Sequence, residues 1–484
     1  MTEVSQAIAE HIPREFGCST RLARRGFLMG SLASLAACNG VGPDYVPPTI
    51  ALDSSFVEGG AQQAGDVAGQ RWWTELHDKK LNDLVARGLA QNLSVTAAMQ
   101  AVAEARANAK AVGVGNQISG GVSASVTGID VSEDTFGIIP DQARSATLSA
   151  GTALAGVDRR REAALAGLEA AGLDVGTARL AYLSGIVGAY IDARYYQEVL
   201  ELTRQSIANN RRILQIVERE RAIGQAAELD VARTTAQLAN VSARLPSLES
   251  AFLANVYGIA ALLSESADPL LKTLQVGAPQ PVARSSPRVG TPANLLRNRP
   301  DIRAAERRYA AAVAAIGIAE AQLYPTLALS GTISTSDTTD ASIFGPSLSL
   351  PIFNRGALTA RRNAAIATAE QAETAWRGAV LGAVREVQTA QSAYRLSGRR
   401  VSRLRDAVSA TRKAFDLTER AYKDGAIQLL DLLSAELTLT EARTALAQAL
   451  QQSASDWLAL QIATGSGWAA GPNTLPAKAV ASAE

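Results

Sequence analysis

Two stretches without a single proline, Asp158 to about Arg221 and Gly356 to about Lys423, constrain this chain more than any other feature. Proline breaks a helix interior, and about 64 residues rising 1.5 Å each make a rod of roughly 95 Å, longer than any ordinary globular domain. Helices of that length need partners along their whole extent, so neighbouring chains are expected to supply a coiled-coil-like wall. Each rod ends on the same punctuation. Arg219, Gly224, Asp230, Leu238 and Leu245 lie 201 residues before Arg420, Gly425, Asp431, Leu439 and Leu446, and the pairs Arg160–Arg161 and Arg361–Arg362 keep that offset. A basic residue, a Gly and then an Asp in the first turns of a second helix is the chemistry of a tight turn between two helices. The chain therefore reads as a duplication of one unit, with returning helices from about Ala226 to Ser264 and from Ile427 to Ile462.

Just before each rod the apolar period changes from 3.6 to 2. Val122, Ala124 and Val126 alternate with Ser123, Ser125 and Thr127, and Ala146, Leu148 and Ala150 alternate with Ser145, Thr147 and Ser149. The second copy has Leu327, Leu329 and Ile333 against Ser330, Thr332 and Ser334, then Leu348, Leu350 and Ile352 against Ser347 and Ser349. These are two β-hairpins, 118–154 and 326–353, each with one apolar and one hydroxyl-lined face. Four strands cannot enclose a lumen alone, but several chains together can do so in the apolar-out, polar-in pattern of an outer-membrane barrel. No run of 18 or more apolar residues is present, which argues against a transmembrane helix.

The N-terminus reads as processing signal. Arg21, Arg24 and Arg25 precede an apolar core from Phe27 to Ala37, closed by Leu35-Ala36-Ala37-Cys38. That run resembles a bacterial lipobox, so 1–37 is expected to be a lipoprotein signal peptide and Cys38 the lipidated first residue of the mature chain. Arg24-Arg25 leaves general secretory and twin-arginine export both open. Removal of Cys18 with the signal excludes a disulfide within the mature chain. A lipid-anchored extended tether, 38–70, leads to Trp72-Trp73, and from Leu76 apolar residues recur at helical spacing to about Gly113. The remaining divisions are a first repeat 71–264, a Pro-rich connector 265–290, a second repeat 291–467 and a disordered tail 468–484.

Candidate chemistry is sparse. The histidines are His11 and His77, and no Gly-x-Ser-x-Gly, Walker A or Gly-x-Gly-x-x-Gly motif occurs. No enzyme, metal site or cofactor is therefore expected. A formal charge of +1 gives no field to recruit nucleic acid. Asp230 and Asp431 carry two readings. An acid at a helix start complements the macrodipole; the same acid at the tips of two hairpins, gathered by a symmetric assembly, would make a cation-favouring constriction. Gly224 and Gly425 are the corresponding turn hinges.

With these residues the chain resembles the outer-membrane efflux lipoproteins of the TolC superfamily, OprM and NodT branch. The resemblance rests on the lipobox with Val41-Gly42-Pro43-Asp44-Tyr45, Trp72-Trp73, Leu295-Leu296-Arg297-Asn298-Arg299-Pro300-Asp301-Ile302-Arg303, Ile316-Gly317, Tyr324-Pro325, Gly345 to Phe353, and Tyr422 with Gly425. It implies a mixed helical and β membrane protein: a homotrimer in which four strands per chain build a twelve-strand barrel, continued by a long helical periplasmic tunnel closed at its inner end. It also implies a periplasmic adaptor protein and an inner-membrane RND-type pump as partners, outer-membrane lipid around the barrel, and passive export of drugs or other small molecules. Asp431 matches a position whose acids line the periplasmic constriction, whereas Ser434 stands where TolC has a second acid. Asp158-Arg159 replaces a more apolar turn of the family. Two alternatives share parts of this reading: the outer-membrane duct of a type I protein secretion system, and a lipid-anchored periplasmic helical scaffold.

Overall fold

The change of hydropathy period is a change of backbone. The computed structural model describes residues 41–58, 67–115, 119–128, 142–153, 157–283, 289–336 and 340–469. A 3₁₀ turn (Trp72–Leu76) leads to α1 (Lys79–Gln91), α2 (Leu93–Gly115), β1 (Ser119–Gly128), β2 (Gln142–Ala153) and the long α3 (Val157–Ala222). Then come α4 (Glu228–Ser242), α5 (Leu245–Leu263), α6 (Ala267–Leu274), α7 (Pro292–Asn298) and α8 (Pro300–Ala321). The chain finishes with β3 (Thr326–Ser336), β4 (Asp340–Ser349), a 69-residue α9 (Arg355–Lys423) and α10 (Leu429–Ala463). Two compact units result: Met1–Val46, Lys110–Ala164 and Ala311–Ala369 contain the sheet, and Pro47–Ala109, Leu165–Ala310 and Glu370–Glu484 contain most of the helix. Cys38 and the signal segment lie outside the described residues, as does the tail beyond Ala469.

In the first unit the four strands pair antiparallel in the order β1-β2-β3-β4, and neither β1 nor β4 has a second neighbour among the described residues. The register puts Val122 beside Leu148 and Leu148 beside Ile333, with Gly331 beside Phe344 and Leu327 beside Leu348. Directly opposed residues share a face, so the apolar members of all four strands stand together. Leu327 is half-buried and the other large side chains are exposed, Leu348 to 72%. Phe344 lies over Gly331, where a Cβ would come within 2.6 Å of its ring. The same unit fixes the start of the tether. Buried Arg159 donates to the Val41 and Gly42 carbonyls at 3.2 Å and to Asp44 Oδ1 at 2.7 Å, with Glu162 as a further carboxylate partner. Gly42, at φ +91°, presses on Gly317, where a Cβ would lie 2.5 Å from the Gly317 Cα. The Gly42 and Gly317 motifs are thus one contact.

In the second unit, α3 buries a stripe of Leu183, Ile186, Val187, Tyr190 and Ile191 at helical spacing against Leu81, Leu84 and Val85 of α1 and Val256, Ile259 and Leu263 of α5. Trp72 stacks edge-on against Trp457 at 5.4 Å and donates to the Ser466 carbonyl. Arg299 explains its motif. Its guanidinium grips both Asp301 oxygens, Glu386 and the last carbonyl of α10, Ala463 O. Burial alone would raise the Asp301 carboxyl, but the Arg299 hydrogen bonds and charge outweigh it and hold that carboxyl below its ordinary range.

The structure differs from the sequence reading in four places. The helix expected from Leu76 to Gly113 is two helices, because Asn92 caps the second: its Oδ1 accepts from Ser94 N and Val95 N while its amide donates to Leu262 O. The first returning helix is interrupted between Ser242 and Leu245, with Pro246 in the first turn of α5, whereas α10 runs unbroken with Ala447 at the repeat-equivalent place. The connector 265–290 contains α6, whose Leu270 and Leu274 are buried. Trp468, assigned to the tail, donates Nε1 to Asn298 O at 2.8 Å and packs against Gly176. One stretch, Glu228–Leu263, is long and apolar enough to cross a membrane by length and composition. Within it Phe252, Val256, Ile259 and Leu263 are buried in the helical core.

Candidate gate at the helical hairpin tips

The two tips are built alike. At the first, Gly224 adopts φ +79°, its N–H bonds to Arg221 O, and Gln225 N–H reaches back to Glu220 O. At the second, Gly425 adopts φ +70°, its N–H bonds to Tyr422 O, and Ala426 N–H reaches back to Ala421 O. This pair of bonds satisfies the orphan carbonyls of a helix end and requires a left-handed residue, which Gly supplies at least cost.

Asp230 and Asp431 then open the returning helices. Asp230 Oδ2 accepts from Ala227 N at 3.2 Å, and Asp431 Oδ2 accepts from Gln428 N at 3.3 Å. Each carboxylate therefore caps its own helix, half of a capping box. Asp431 is exposed and Asp230 half-buried. The helix-start reading of these acids is the one these bonds express. Beside each stands an exposed leucine, Leu229 and Leu430. Asp431 and Ser434 line a groove between α9 and α10 with Thr411, Thr418, Ile427 and Thr438.

The tips are joined to each other by contacts that local sequence does not announce. Ile213 and Val217 of α3 and Leu429 and Leu432 of α10 form a buried cluster, against which Phe415 and Tyr422 of α9 pack. From its edge Tyr422 donates its hydroxyl to Glu220 Oε2 at 2.7 Å, tying the end of α9 to the end of α3. Burial, then the Glu220 hydrogen bond and charge, then the charge of Asp230, push the Tyr422 phenol well above its ordinary range. It stays a donor throughout the neutral range. Arg221 pairs with Glu228 across the first turn. Further along the same seam, buried Glu436 of α10 accepts from Ser206 of α3 at 2.8 Å and from Thr440 at 3.1 Å. Tyr422 enters the sequence reading only by resemblance, and Glu220 and Glu436 not at all. The available signal for Glu436 is an acid inside the apolar stripe Leu432–Leu439.

Among the described residues no cluster of His, Cys, Asp and Glu could hold a metal. A single model, that of the outer membrane efflux proteins, matches residues 84–265 and again 291–466. The chain belongs to that family. Membership makes it an outer-membrane efflux channel of a Gram-negative cell, and the double match coincides with its two repeats. Nodulation protein T of Rhizobium leguminosarum bv. viciae is 38% identical over 90% of this chain and 92% of its own length. The pyoverdine export outer membrane protein OpmQ of Pseudomonas aeruginosa is 28% identical over 91% of this chain and 96% of its own length. Among solved structures, the outer-membrane channel OprN superposes with a TM-score of 0.80 at 29% identity, covering 88% of this chain and 99% of that one. The efflux family's architecture therefore extends over nearly all of the described residues.

Proposed function

We propose that three copies of this chain form a passive exit duct through the outer membrane. Each contributes four strands to a closed barrel and two helical hairpins to a periplasmic tunnel. The observation that carries this reading is the sheet: two edges unpaired among the described residues and one exposed apolar face are untenable for a lone chain in water and are both resolved by edge-to-edge closure in lipid. Acylation of Cys38 would hold the tether at the membrane, where Arg159 receives it.

The tips are the closable end. In the closed state the Tyr422–Glu220 bond and the apolar cluster beneath it hold the hairpins together. Asp230 and Asp431, repeated by symmetry, surround the axis and favour cations. Opening turns the hairpins about Gly224 and Gly425. A periplasmic adaptor and an inner-membrane RND-type pump deliver the cargo and supply the energy, since the sequence holds no nucleotide-binding motif. Small organic molecules are the expected cargo, in line with the pyoverdine export named for one relative.

Single-particle imaging of the detergent-extracted protein tests the assembly. A three-fold particle with a tunnel of about 100 Å beyond the micelle is expected from the rod lengths. A monomer that needs no detergent would overturn it.

A further inference from the structure

The face of the sheet opposite the apolar one has a composition of its own. By register it carries Ser119, Ser123, Ser125, Thr127, Ser145, Thr147, Ser149, Thr326, Ser330, Thr332, Ser334, Ser336, Ser347 and Ser349, with Gly or Ala at the remaining places and one exception, Ile343. The charged residues of the four strands are Arg144 and Asp340. Both fall on the apolar face, at strand ends next to the hairpin connections. The hydroxyls, moreover, are turned into the wall. Ser125 and Ser145 bond to each other at 2.8 Å, while Ser149, Ser334 and Ser347 make long bonds to the Gly121, Ala341 and Ala328 carbonyls of the adjacent strands. The protons of Ser149, Ser334, Ser347 and one member of the Ser125–Ser145 pair are directed into the wall, and every hydroxyl on the face keeps a lone pair for whatever fills the lumen. Ile343, 71% exposed and opposite Thr332, is the one large apolar side chain on this face.

We infer that the membrane segment of this duct is a charge-neutral wall of hydroxyls interrupted by one apolar ring, formed by Ile343 of each copy. This rests on the duct reading and deepens it. The barrel does not sort cargo by charge. It suits small amphipathic molecules that carry neutral hydrogen-bonding groups and an apolar part, and charge selection is left to the helical part of the path.

The test places single cysteines in the Cys38-acylated protein, at Thr147 or Thr332 on the hydroxyl face and at Leu148 or Ile333 on the apolar face. Purified channels in planar bilayers are exposed to an anionic sulfonatoethyl and a cationic trimethylammonioethyl methanethiosulfonate. At T147C and T332C both reagents should react at rates within about three-fold of each other, as expected without a local field. The two adducts should shift the cation-to-anion permeability ratio in opposite directions by roughly five-fold, the effect of three unit charges about 10 Å from the axis after screening over about one Debye length. A preference of more than about ten-fold for one reagent would reveal a charged wall and overturn the inference. Reaction at L148C in place of T147C would overturn it by reversing the faces. I343S should weaken block by decyltrimethylammonium at least about three-fold while small-ion conductance holds within about two-fold, given the apolar area withdrawn; unchanged block would remove the ring. Absence of any current from the unsubstituted protein is the separate result that defeats the duct reading, and this inference with it.

Discussion

Tyr422→Phe is the most informative single substitution in the tip. It deletes one oxygen and leaves the ring in the apolar cluster with Ile213, Val217, Leu429 and Leu432, so packing and trimer assembly should be unaffected. What is lost is a 2.7 Å bond to a carboxylate. Hydrogen bonds to charged groups contribute about 1.5–3 kcal/mol. Both partners are half-buried, and water can take over part of the bond, so about 1–1.5 kcal/mol per chain is the appropriate figure. Three copies acting additively give about 3–4.5 kcal/mol. At 1.4 kcal/mol per decade, the closed-to-open ratio should fall by two to three orders of magnitude. Planar-bilayer recording reads this directly as open probability. Since the phenol is held above its ordinary range by burial, Glu220 and Asp230, the wild-type bond survives mildly alkaline buffer, and the contrast between the two proteins should be constant across the neutral range. Glu220→Gln should give a smaller effect, and the double variant no more than the larger single one. Open probability indistinguishable from wild type in Tyr422→Phe would refute the assignment of this bond to the closed state.

Other predictions separate roles that the structure superimposes. Asp230→Asn with Asp431→Asn should lower cation preference and keep most of the melting temperature. The corresponding Ala pair should also lose about 0.5–2 kcal/mol per cap, and identical melting curves for the two pairs would dismiss the capping role. Gly425→Ala places a Cβ at φ +70° with no atom within 4 Å, so its cost is conformational, about 1–2 kcal/mol, and thermal unfolding should show Gly425→Asn recovering part of it. The Glu58 carboxyl is lowered to about 2 by hydrogen bonds from Arg395 and Ser392. Its contribution is full above the ordinary 4.5 and is lost as pH falls toward 2, so pepsin should cut the tether at low pH in wild type and more readily in Glu58→Gln; equal cutting rates would discard the clamp. Cys38→Ser should abolish palmitate labelling while the barrel still inserts, and persistent labelling would move the lipid elsewhere.

What could be read in advance divides along a physical line. Period-2 alternation marked both hairpins because each strand has one apolar and one hydroxyl face, and the Gly-to-Asp spacing marked both tips because turn and cap are local. Those signals lie within a few residues of their consequences. The partners of Tyr422 and Glu436 lie some two hundred residues away, and no local pattern names Glu220 or Ser206 as the group opposite. Pro246 was in plain view, yet the apolar positions Val241, Leu245, Leu248 and Phe252 continue through it and mask the break. Arg159 looked like a misfit in the strand-to-helix junction. Its buried guanidinium is instead the receptor for the Val41 and Gly42 carbonyls, a long-range pairing that spacing cannot encode.

The interruption at Pro246 separates two halves that duplication made alike. In a trimer the six returning helices would alternate: one jointed near its middle, the next a continuous strut with Ala447 at the matching place. Bending concentrates where a backbone bond is missing, so a load applied at the tips flexes the jointed members first and passes through the struts unspent. In the proposed trimer one residue would thereby turn a nearly six-fold ring into a three-fold one, with alternate staves yielding and transmitting force.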